Sequence, residues 1–311
     1  MQPEKLTAAY LSETDDLREI ATCSVGGRRL MYGVGPVNWS SSSNGQRTRN
    51  PYSQYGYYFL TDEGGDPLLA DSTLFADENY PTANDHHALR EVDNYSWYHG
   101  GRNLYEQATL GVGTDNHYTL PAYSQHGKLT VVMSYDNYCE AEVLVNGTSV
   151  GTIVISPTTA SKTNSRLKAF PDDYSKAAVD SWTFAINGGL KDENDIVVRQ
   201  TSGSYMRLDY ITLTSNQPKP FPNLSTARFP VPDFVGRVEN QDLHADAAID
   251  MVIIIPANRN YAEQAERLKQ LHETADGMRV KVVPADMLFN EFSSGTPDAN
   301  AYRRYMKMLY D

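Results

Sequence analysis

The stretch Asp250-Met251-Val252-Ile253-Ile254-Ile255 decides the fold class of the last part of the chain. Its unbroken apolar run is typical of a strand that is buried on both faces of a sheet. A helix is predicted over 261–274, because four apolar residues share one helical stripe there: Tyr261, Ala265, Leu268 and Leu271. Gly277 is suited to ending that helix, and 280–283 predicts a second strand. The strand–helix–strand order indicates a parallel pair with a right-handed crossover.

A further helix is predicted near the end of the chain. Thr296-Pro297-Asp298 is a typical helix start, with Pro297 at the first helical position. The apolar residues that follow have helical spacing: Tyr302, Tyr305, Met306 and Leu309. Two parallel strands need more strands and covering helices to hide their edges and faces. We therefore expect 249–311 to be the truncated start of an α/β domain in a longer protein.

Residues 93–215 are predicted to form a β-sandwich of the jelly-roll type. Within 129–135, apolar residues alternate with a set that is only partly polar: Thr130, Val132 and Ser134. That strand is therefore expected to be central in its sheet. Asn146-Gly147 separates two apolar runs and predicts a hairpin, because both residues tolerate positive φ. Later strands are predicted at 196–198 and 208–213.

Two further segments complete the predicted organisation. Residues 1–92 form a partial β-rich N-terminal region, with strand-like runs at 29–34 and 55–60. Residues 216–248 are a linker, because three alternating prolines cannot continue a sheet: Pro218, Pro220 and Pro222. The predicted fold class is multidomain and mostly β, with a β-rich N-terminal region, a jelly-roll-like sandwich and the incomplete start of an α/β domain.

Charge and cysteine content exclude several classes of partner and site. The formal net charge of −12 argues against nucleic acid and against an anionic membrane surface, since both need a basic face. No stretch reaches the roughly 18 apolar residues of a membrane-spanning helix. Cys23 and Cys139 lie far apart and show no metal-ligand spacing. They could form one disulfide or stay free, and a lone strand cysteine is more often a small buried hydrophobe than a nucleophile.

Other polar residues give no cofactor or metal site from sequence alone. His86 and His87 would point in different directions on a strand, so they would chelate one metal poorly and are expected at the surface. Asp209 could anchor a turn or bind a cation, although a strand carboxylate is usually exposed. Four carboxylates would suit Ca²⁺, but their spacing fits no calcium loop: Asp62, Glu63, Asp66 and Asp71. We predict no cofactor and no metal.

Two C-terminal stretches resemble the gingipain-type cysteine peptidases. Val238–His244, followed by the run from Asp250, is similar to the beginning of their catalytic domain. Phe289–Asp298 and Ala301–Asp311 are closer still to the branch that serves as the sortase of the type IX secretion system. Weaker likenesses to the β domains of that branch lie upstream. By this resemblance, Met1 falls inside the first of those β domains. Two of these are Gly101-Arg102-Asn103-Leu104-Tyr105-Glu106 and Leu208-Asp209-Tyr210-Ile211.

The resemblance implies a caspase-like fold and a thiolate nucleophile paired with a histidine. It further implies an exported protein at the cell surface or outer membrane. Its partners would be secreted cargo proteins, whose C-terminal sorting domains it removes, and other outer-membrane components of the same secretion system. The family's catalytic His and Cys lie after the region that matches 250–311. This chain has no cysteine after Cys139, and His244 and His272 lie in the linker and the first helix. We therefore assign no catalytic residue and expect the chain alone to be inactive.

Two other functions stay open for the sandwich. It could be a carbohydrate- or cargo-binding module, with aromatic side chains that stack on sugars: Trp97, Tyr98, Tyr118 and Tyr123. The simpler interpretation is that these aromatics fill the core and cover the sheets. The sandwich could also be a structural spacer that positions a catalytic domain.

Overall fold

The computed structural model of the chain describes residues 19–61, 70–97, 104–155, 177–246 and 248–311. In chain order the strands are β1 (Thr22–Val25), β2 (Arg28–Met31), β3 (Val37–Trp39), β4 (Arg47–Arg49), β5 (His87–Glu91), β6 (Asp115–Pro121), β7 (Gly127–Tyr135), β8 (Cys139–Val145), β9 (Thr148–Ile155), β10 (Ala178–Ile186), β11 (Glu193–Gly203), β12 (Met206–Ser215), β13 (Met251–Ile255) and β14 (Val280–Pro284). The α-helices are α1 (Ser72–Asn79), α2 (Ala262–Ala275), α3 (Ala285–Phe292) and α4 (Ala299–Tyr310), and a short 3₁₀ helix (Ala83–His86) precedes β5.

The chain divides into two compact units. One takes in Met1–Pro36, Tyr52–Phe75 and Asn223–Asp311, and the other takes in Val37–Pro51 and Ala76–Pro222. Several separate sheets and few helices make up the described residues, so the predicted mostly β, multidomain fold class is confirmed. The domain boundaries at 92, 215 and 248 stay predictions. None of the helices in the described part of the chain is long and apolar enough to cross a membrane.

The second unit contains an antiparallel β-sandwich. One sheet has the order β10-β7-β12-β5 and the other has the order β6-β11-β8-β9. Two sheets of four antiparallel strands are the arrangement of a jelly roll. The strand β5 that edges the first sheet lies ahead of residue 93, where the sequence places the start of the sandwich.

The strand β7 lies between β10 and β12, which confirms the predicted central position. Its residues Leu129 and Met133 face the core between the sheets and are fully buried. The alternate residues Thr130 and Ser134 are buried as well. Thr130 is covered by the loop between β3 and β4, because Gly45 packs so closely against it that a Cβ at that position would overlap its side chain.

The hairpin between β8 and β9 is confirmed at Asn146-Gly147. The two residues have φ values of 51° and 80°, the left-handed backbone that a tight hairpin turn with two central residues requires. Val145 pairs with Thr148 across the turn. The register shifts between Val143 and Leu144, and beyond this shift Val143 and Ile153 lie in the core.

The α/β region of the first unit has the predicted parallel pair. Strands β13 and β14 are parallel, and the helix α2 connects them. The helices α3 and α4 follow, and their apolar residues form one core with the segment before β13: Leu243, Val283, Leu288, Phe292, Ala301 and Tyr305. The helix α3 is absent from the sequence prediction.

Three details of the α/β prediction are wrong. Pro297 is not the first helical residue, since Asp298 is the N-cap of α4 and accepts a hydrogen bond from the Asn300 amide at 2.8 Å. The stripe of α2 is mostly exposed, and only Ala265 of that stripe is buried. The strand β13 is not buried on both faces, since only Ile255 is buried and Ile254 is exposed. In α4, Met306 is exposed, while Arg304 and Tyr305 are buried.

The N-terminal part of the first unit contains the hairpin β1–β2. The predicted strand at 29–34 is therefore present in part, over Arg28–Met31. The run at 55–60 forms no strand, and Leu60 is exposed. A Cβ at Gly56 would overlap the carbonyl oxygen of Val34. Close backbone packing, rather than a ladder of hydrogen bonds, therefore places this segment.

Candidate functional site

Neither cysteine is placed to act as a nucleophile. Cys139 begins β8 and is fully buried, and its Sγ donates to the carbonyl oxygens of Asn137 (3.3 Å) and Ser204 (3.4 Å). Burial raises the pKa of the Cys139 thiol to about 11. Cys23 lies in β1, and it is also buried and free. A reactive cysteine needs an accessible thiolate, so both residues have the character of small core hydrophobes.

His244 belongs to a clasp around Glu291, a residue of α3. The Glu291 carboxylate accepts hydrogen bonds from Gln241 Nε2 (2.7 Å) and from the backbone N–H groups of Leu243 (2.9 Å) and His244 (3.2 Å). It also lies 2.8 Å from His244 Nδ1. The His244 ring stacks on Phe292, with ring centroids 4.6 Å apart. This clasp fixes the segment 241–244 on α3.

The electrostatics of the clasp favour a charged carboxylate. Burial opposes the ionisation of Glu291, but the hydrogen bonds from His244, Gln241 and the Leu243 amide outweigh it and hold its pKa below the ordinary value. The imidazole of His244 is occupied by this partner and by the aromatic stack. These contacts hold the ring against α3.

The carboxyl end of the parallel pair carries an exposed ion pair. Arg259 follows β13, Asp286 follows β14, and Arg259 donates two hydrogen bonds to the Asp286 carboxylate (2.6 and 2.9 Å). Arg259 and Tyr261 both have positive φ, which bulky residues rarely adopt. Ligands of open α/β sheets bind at this edge. The ion pair itself supplies no nucleophile, and His272 lies elsewhere, paired with Asp276 (2.6 Å) at the end of α2.

Asp209 is buried in a network with two arginines, so the expectation that it is exposed is wrong. Glu91, Asp93 and Asp209 each bring an oxygen within 4.8 Å of the others, a spacing that could hold a cation. Arg47 pairs with Glu91 (Nε to Oε2, 2.9 Å) and Asp209 (Nη2 to Oδ1, 3.6 Å). Arg49 pairs with Glu91 at 3.0 Å and with Asp93. The guanidinium groups balance most of the negative charge, so the cluster is an ion-pair network that fastens β4 to the sheet.

The histidines 86 and 87 differ from the prediction. His87 is buried, because Trp39 stacks on its ring with centroids 4.4 Å apart. Its ring nitrogens lie 3.1 Å from the Ser41 carbonyl oxygen and 3.1 Å from Thr214 Oγ1. His86 is partly buried and contacts a backbone oxygen. The expected surface position is therefore wrong for His87, since the loop after β3 covers it.

One of the four carboxylates whose spacing fits no calcium loop is a helix cap. Asp71 Oδ1 accepts hydrogen bonds from the amides of Thr73 (2.8 Å) and Leu74 (2.9 Å), so Asp71 caps α1. Asp62, Glu63 and Asp66 lie outside the described residues.

Two of the aromatic residues considered for sugar binding pack against other side chains of the sandwich. Trp97 donates through Nε1 to Ser134 Oγ at 3.0 Å, and its ring lies edge-on to Tyr95. Tyr118 packs against the core, and burial raises its pKa to about 12. Tyr123 is half-buried, and Tyr98 lies outside the described residues. These contacts favour the interpretation that the aromatics support the fold.

Comparison with known proteins identifies the α/β region. Residues 244–311 match peptidase family C25. The predicted resemblance to gingipain-like cysteine peptidases is therefore confirmed for this region. No curated protein matches the chain.

The whole chain has the fold of a solved structure. It is similar to dimeric latent PorU from Porphyromonas gingivalis, with a TM-score of 0.70 and 22% sequence identity. The match covers 96% of this chain and 35% of the PorU chain, so the chain spans about a third of the length of that relative. At this identity the likeness shows the fold alone. Partial matches include a family 35 carbohydrate-binding module from Cellvibrio japonicus, with a TM-score of 0.28 and 11% identity. That match covers 42% of this chain and 88% of the module, and it is too weak to support a conclusion.

Sequence reasoning missed the clasp around Glu291. The clasp around Glu291 lies between the segment at 241–244 and α3, and both of these stretches were singled out for their resemblance to the family. His244 and Glu291 give no periodic signal, because they are 47 residues apart in sequence. Arg47 and Arg49 were missed for the same reason, since their partners lie more than 40 residues away.

Proposed function

We propose that this chain is the β-rich and initial α/β part of a gingipain-like cysteine peptidase that acts as the sortase of the type IX secretion system. One observation carries the proposal: a C25 match at 244–311 is joined, in one chain, to β units with the fold of PorU. A sandwich of this kind followed by a C25 region is the architecture expected of that sortase branch.

In this role the longer protein is exported and held at the cell surface or outer membrane. Its substrates are secreted cargo proteins with C-terminal sorting domains, and its neighbours are other outer-membrane components of the secretion system. The sandwich either positions the peptidase region or contacts cargo. The packed state of Trp97 and Tyr118 supports the positioning role.

The chain itself carries no hydrolytic activity in this proposal. Both thiols are buried, and the raised pKa of Cys139 disfavours the thiolate that a cysteine peptidase needs. Purified chain incubated with a cargo protein should produce no new C-terminus by mass spectrometry. Cleavage that disappears in Cys23→Ala or Cys139→Ala would overturn this part of the proposal.

The sortase role is tested in the cell that encodes the chain. Disrupting the reading frame should leave secreted cargo with its sorting domain attached, detected as a heavier cargo band and confirmed by C-terminal peptide mapping. The control is a matched disruption of the neighbouring sequence that leaves the reading frame intact. It reports any effect on the expression of adjacent genes. Normal removal of the sorting domain in the disrupted strain would contradict the role.

A further inference from the structure

The dipeptide Asn-Gly occurs three times in the chain, at 44–45, 146–147 and 187–188. In such a pair the glycine has no Cβ to keep its amide nitrogen away from the asparagine side chain. The nitrogen can therefore attack the side-chain amide carbon and close a ring, provided that the side chain and the backbone are both free to move. The three pairs differ in this freedom.

The side chain of Asn146 is held by residues far along the chain. Its Nδ2 donates to the Gly189 carbonyl oxygen (3.1 Å) and to Asn194 Oδ1 (2.9 Å), and its Oδ1 accepts from the Asp195 amide (3.1 Å). Asn194 is itself fully buried. These hydrogen bonds must break before the side chain of Asn146 can turn back onto Gly147.

The pair Asn44-Gly45 is held by its own loop and by the sheet beneath it. Asn44 Nδ2 donates to Ser40 Oγ (3.0 Å), and Asn44 Oδ1 accepts from the Gln46 amide (3.0 Å). Gly45 packs so closely against Thr130 that a Cβ there would overlap the threonine side chain. Ring closure has to swing the glycine nitrogen toward the asparagine side chain, and this packing restricts that movement.

Asn187 has neither restraint. It lies in the exposed loop between β10 and β11, and no hydrogen bond within the described residues holds its side chain. Among the same residues, a Cβ on Gly188 would meet only the His126 ring, at 3.9 Å, and a Cβ on Gly189 would meet nothing within 4 Å. Two consecutive glycines in open space leave the backbone around Gly188 free to bend.

We infer that Asn187 is a site of spontaneous deamidation in the folded protein. The Gly188 nitrogen bonds to Cγ of Asn187, the side-chain NH₂ leaves with the proton of the Gly188 amide as ammonia, and a cyclic imide remains. Water then opens the imide at either carbonyl, so that the product is aspartate or isoaspartate, with one new carboxylate in each case. The inference does not rest on the proposed function.

Timed peptide mapping of the full chain at mildly alkaline pH tests the inference. Mass spectrometry distinguishes the amide from the carboxyl group at each Asn-Gly pair. In the folded chain, conversion at Asn187 should be at least about tenfold faster than at Asn44 or Asn146, because each of those side chains must first break hydrogen bonds. In concentrated urea, where no side chain is held, the three rates should converge.

The variant Asn187→Gln is the matched control. It keeps an uncharged amide at this position, but its longer side chain does not close the same ring, so conversion at 187 should stop. Asn44 and Asn146 should still convert at their wild-type rates. The melting temperature should equal that of the wild type, because the side chain of Asn187 is exposed and makes no hydrogen bond within the described residues.

Two results would overturn the inference. The first is a conversion rate at Asn187 in the folded chain that is no greater than the rates at Asn44 and Asn146. The second is a rate at Asn187 that rises more than about tenfold when urea unfolds the chain, which would mean that the fold protects this loop. Both comparisons are made within the wild-type protein, so they hold whether or not the variant folds.

Discussion

His244 Nδ1 lies 2.8 Å from Glu291 Oε2, and this contact joins the segment before β13 to the helix α3. Four donors converge on the one carboxylate, from Gln241, from the Leu243 amide and from the amide and ring of His244. The segment at 241–244 is therefore held on α3 by partly buried hydrogen bonds in addition to the apolar core.

Replacing Glu291 by alanine should loosen the segment at 241–244. The change leaves partly buried N–H groups unpaired, which costs about 2 kcal/mol. The equilibrium constant for local opening should therefore rise roughly thirtyfold. Hydrogen exchange should therefore accelerate at the amides of Leu243 and His244. Asp286→Asn is the matched control on the same helix, since its ion pair with Arg259 is exposed. Unchanged exchange at Leu243 in Glu291→Ala would contradict the structural role of the clasp.

The buried imidazole of His87 should make the stability of the second unit depend on pH. Burial depresses the pKa of His87 below its ordinary value of about 6.5, although the bond to Ser41 opposes this. The unfolded chain then takes up a proton before the folded chain does, so stability falls as the pH is lowered through about 6.5. The melting temperature of the wild type should drop more between pH 7.5 and 5.5 than that of His87→Phe. His126→Gln, which removes an exposed histidine, should behave as the wild type. Equal pH dependence in all three proteins would refute the assignment.

The replacement Arg47→Met should destabilise the sandwich strongly. It leaves the buried carboxylates of Glu91 and Asp209 with less compensating charge, a change that costs about 3 kcal/mol for buried pairs. It also removes the contact of the guanidinium with the Tyr210 ring, 4.3 Å from its centroid. Denaturation in urea measures the effect. Arg199→Met removes an exposed ion pair and serves as the control. Its urea midpoint should equal that of the wild type. Equal midpoints for the two variants would contradict the account.

Calcium should not stabilise the sandwich through Glu91, Asp93 and Asp209. Arg47 and Arg49 already pair with these carboxylates and balance most of the negative charge that would attract a cation. Millimolar Ca²⁺ or a chelator should therefore leave the melting temperature unchanged. A rise in melting temperature with Ca²⁺ that is lost in Asp93→Asn would reverse this conclusion.

Cys139 should resist alkylation in the folded protein. With a pKa of about 11, its thiolate is rare at pH 8, and its side chain is fully buried. Iodoacetamide should label it more than about a hundredfold more slowly than it labels the unfolded chain. Peptide mapping after timed labelling gives both rates. Rapid native labelling of Cys139 would restore it as a candidate nucleophile.

Local sequence patterns predicted those strands and turns whose signal is contained in a few consecutive residues. The alternation in 129–135, the turn at Asn146-Gly147 and the apolar run at 251–255 each specify one element, and all three elements are present. The helix α3 was missed because it follows β14 without an intervening turn. The run at 55–60 was predicted as a strand from its aromatic content, but it forms no strand, and Gly56 packs closely against Val34 there.

Tertiary cover explains the remaining errors. Nothing near His87 or Asp209 in sequence indicates that residues 37–49 fold over them, so their burial could not be predicted. Conversely, Leu268 and Leu271 follow a helical stripe that the described residues leave exposed. The sequence disfavoured the cysteines as nucleophiles because a lone strand cysteine is usually a buried hydrophobe, and the structure adds their burial and the hydrogen bonds of Cys139.

A chimera tests the central claim most directly. In it, this chain replaces the aligned region of PorU from Porphyromonas gingivalis, and removal of the sorting domain from a secreted cargo is measured by mass spectrometry. If the chain is the β-rich and initial α/β part of such a sortase, the chimera should retain cargo processing, and a chimera carrying Leu288→Asp in the α/β core should lose it. A chimera that is exported and folded, yet leaves every sorting domain attached, would contradict the claim.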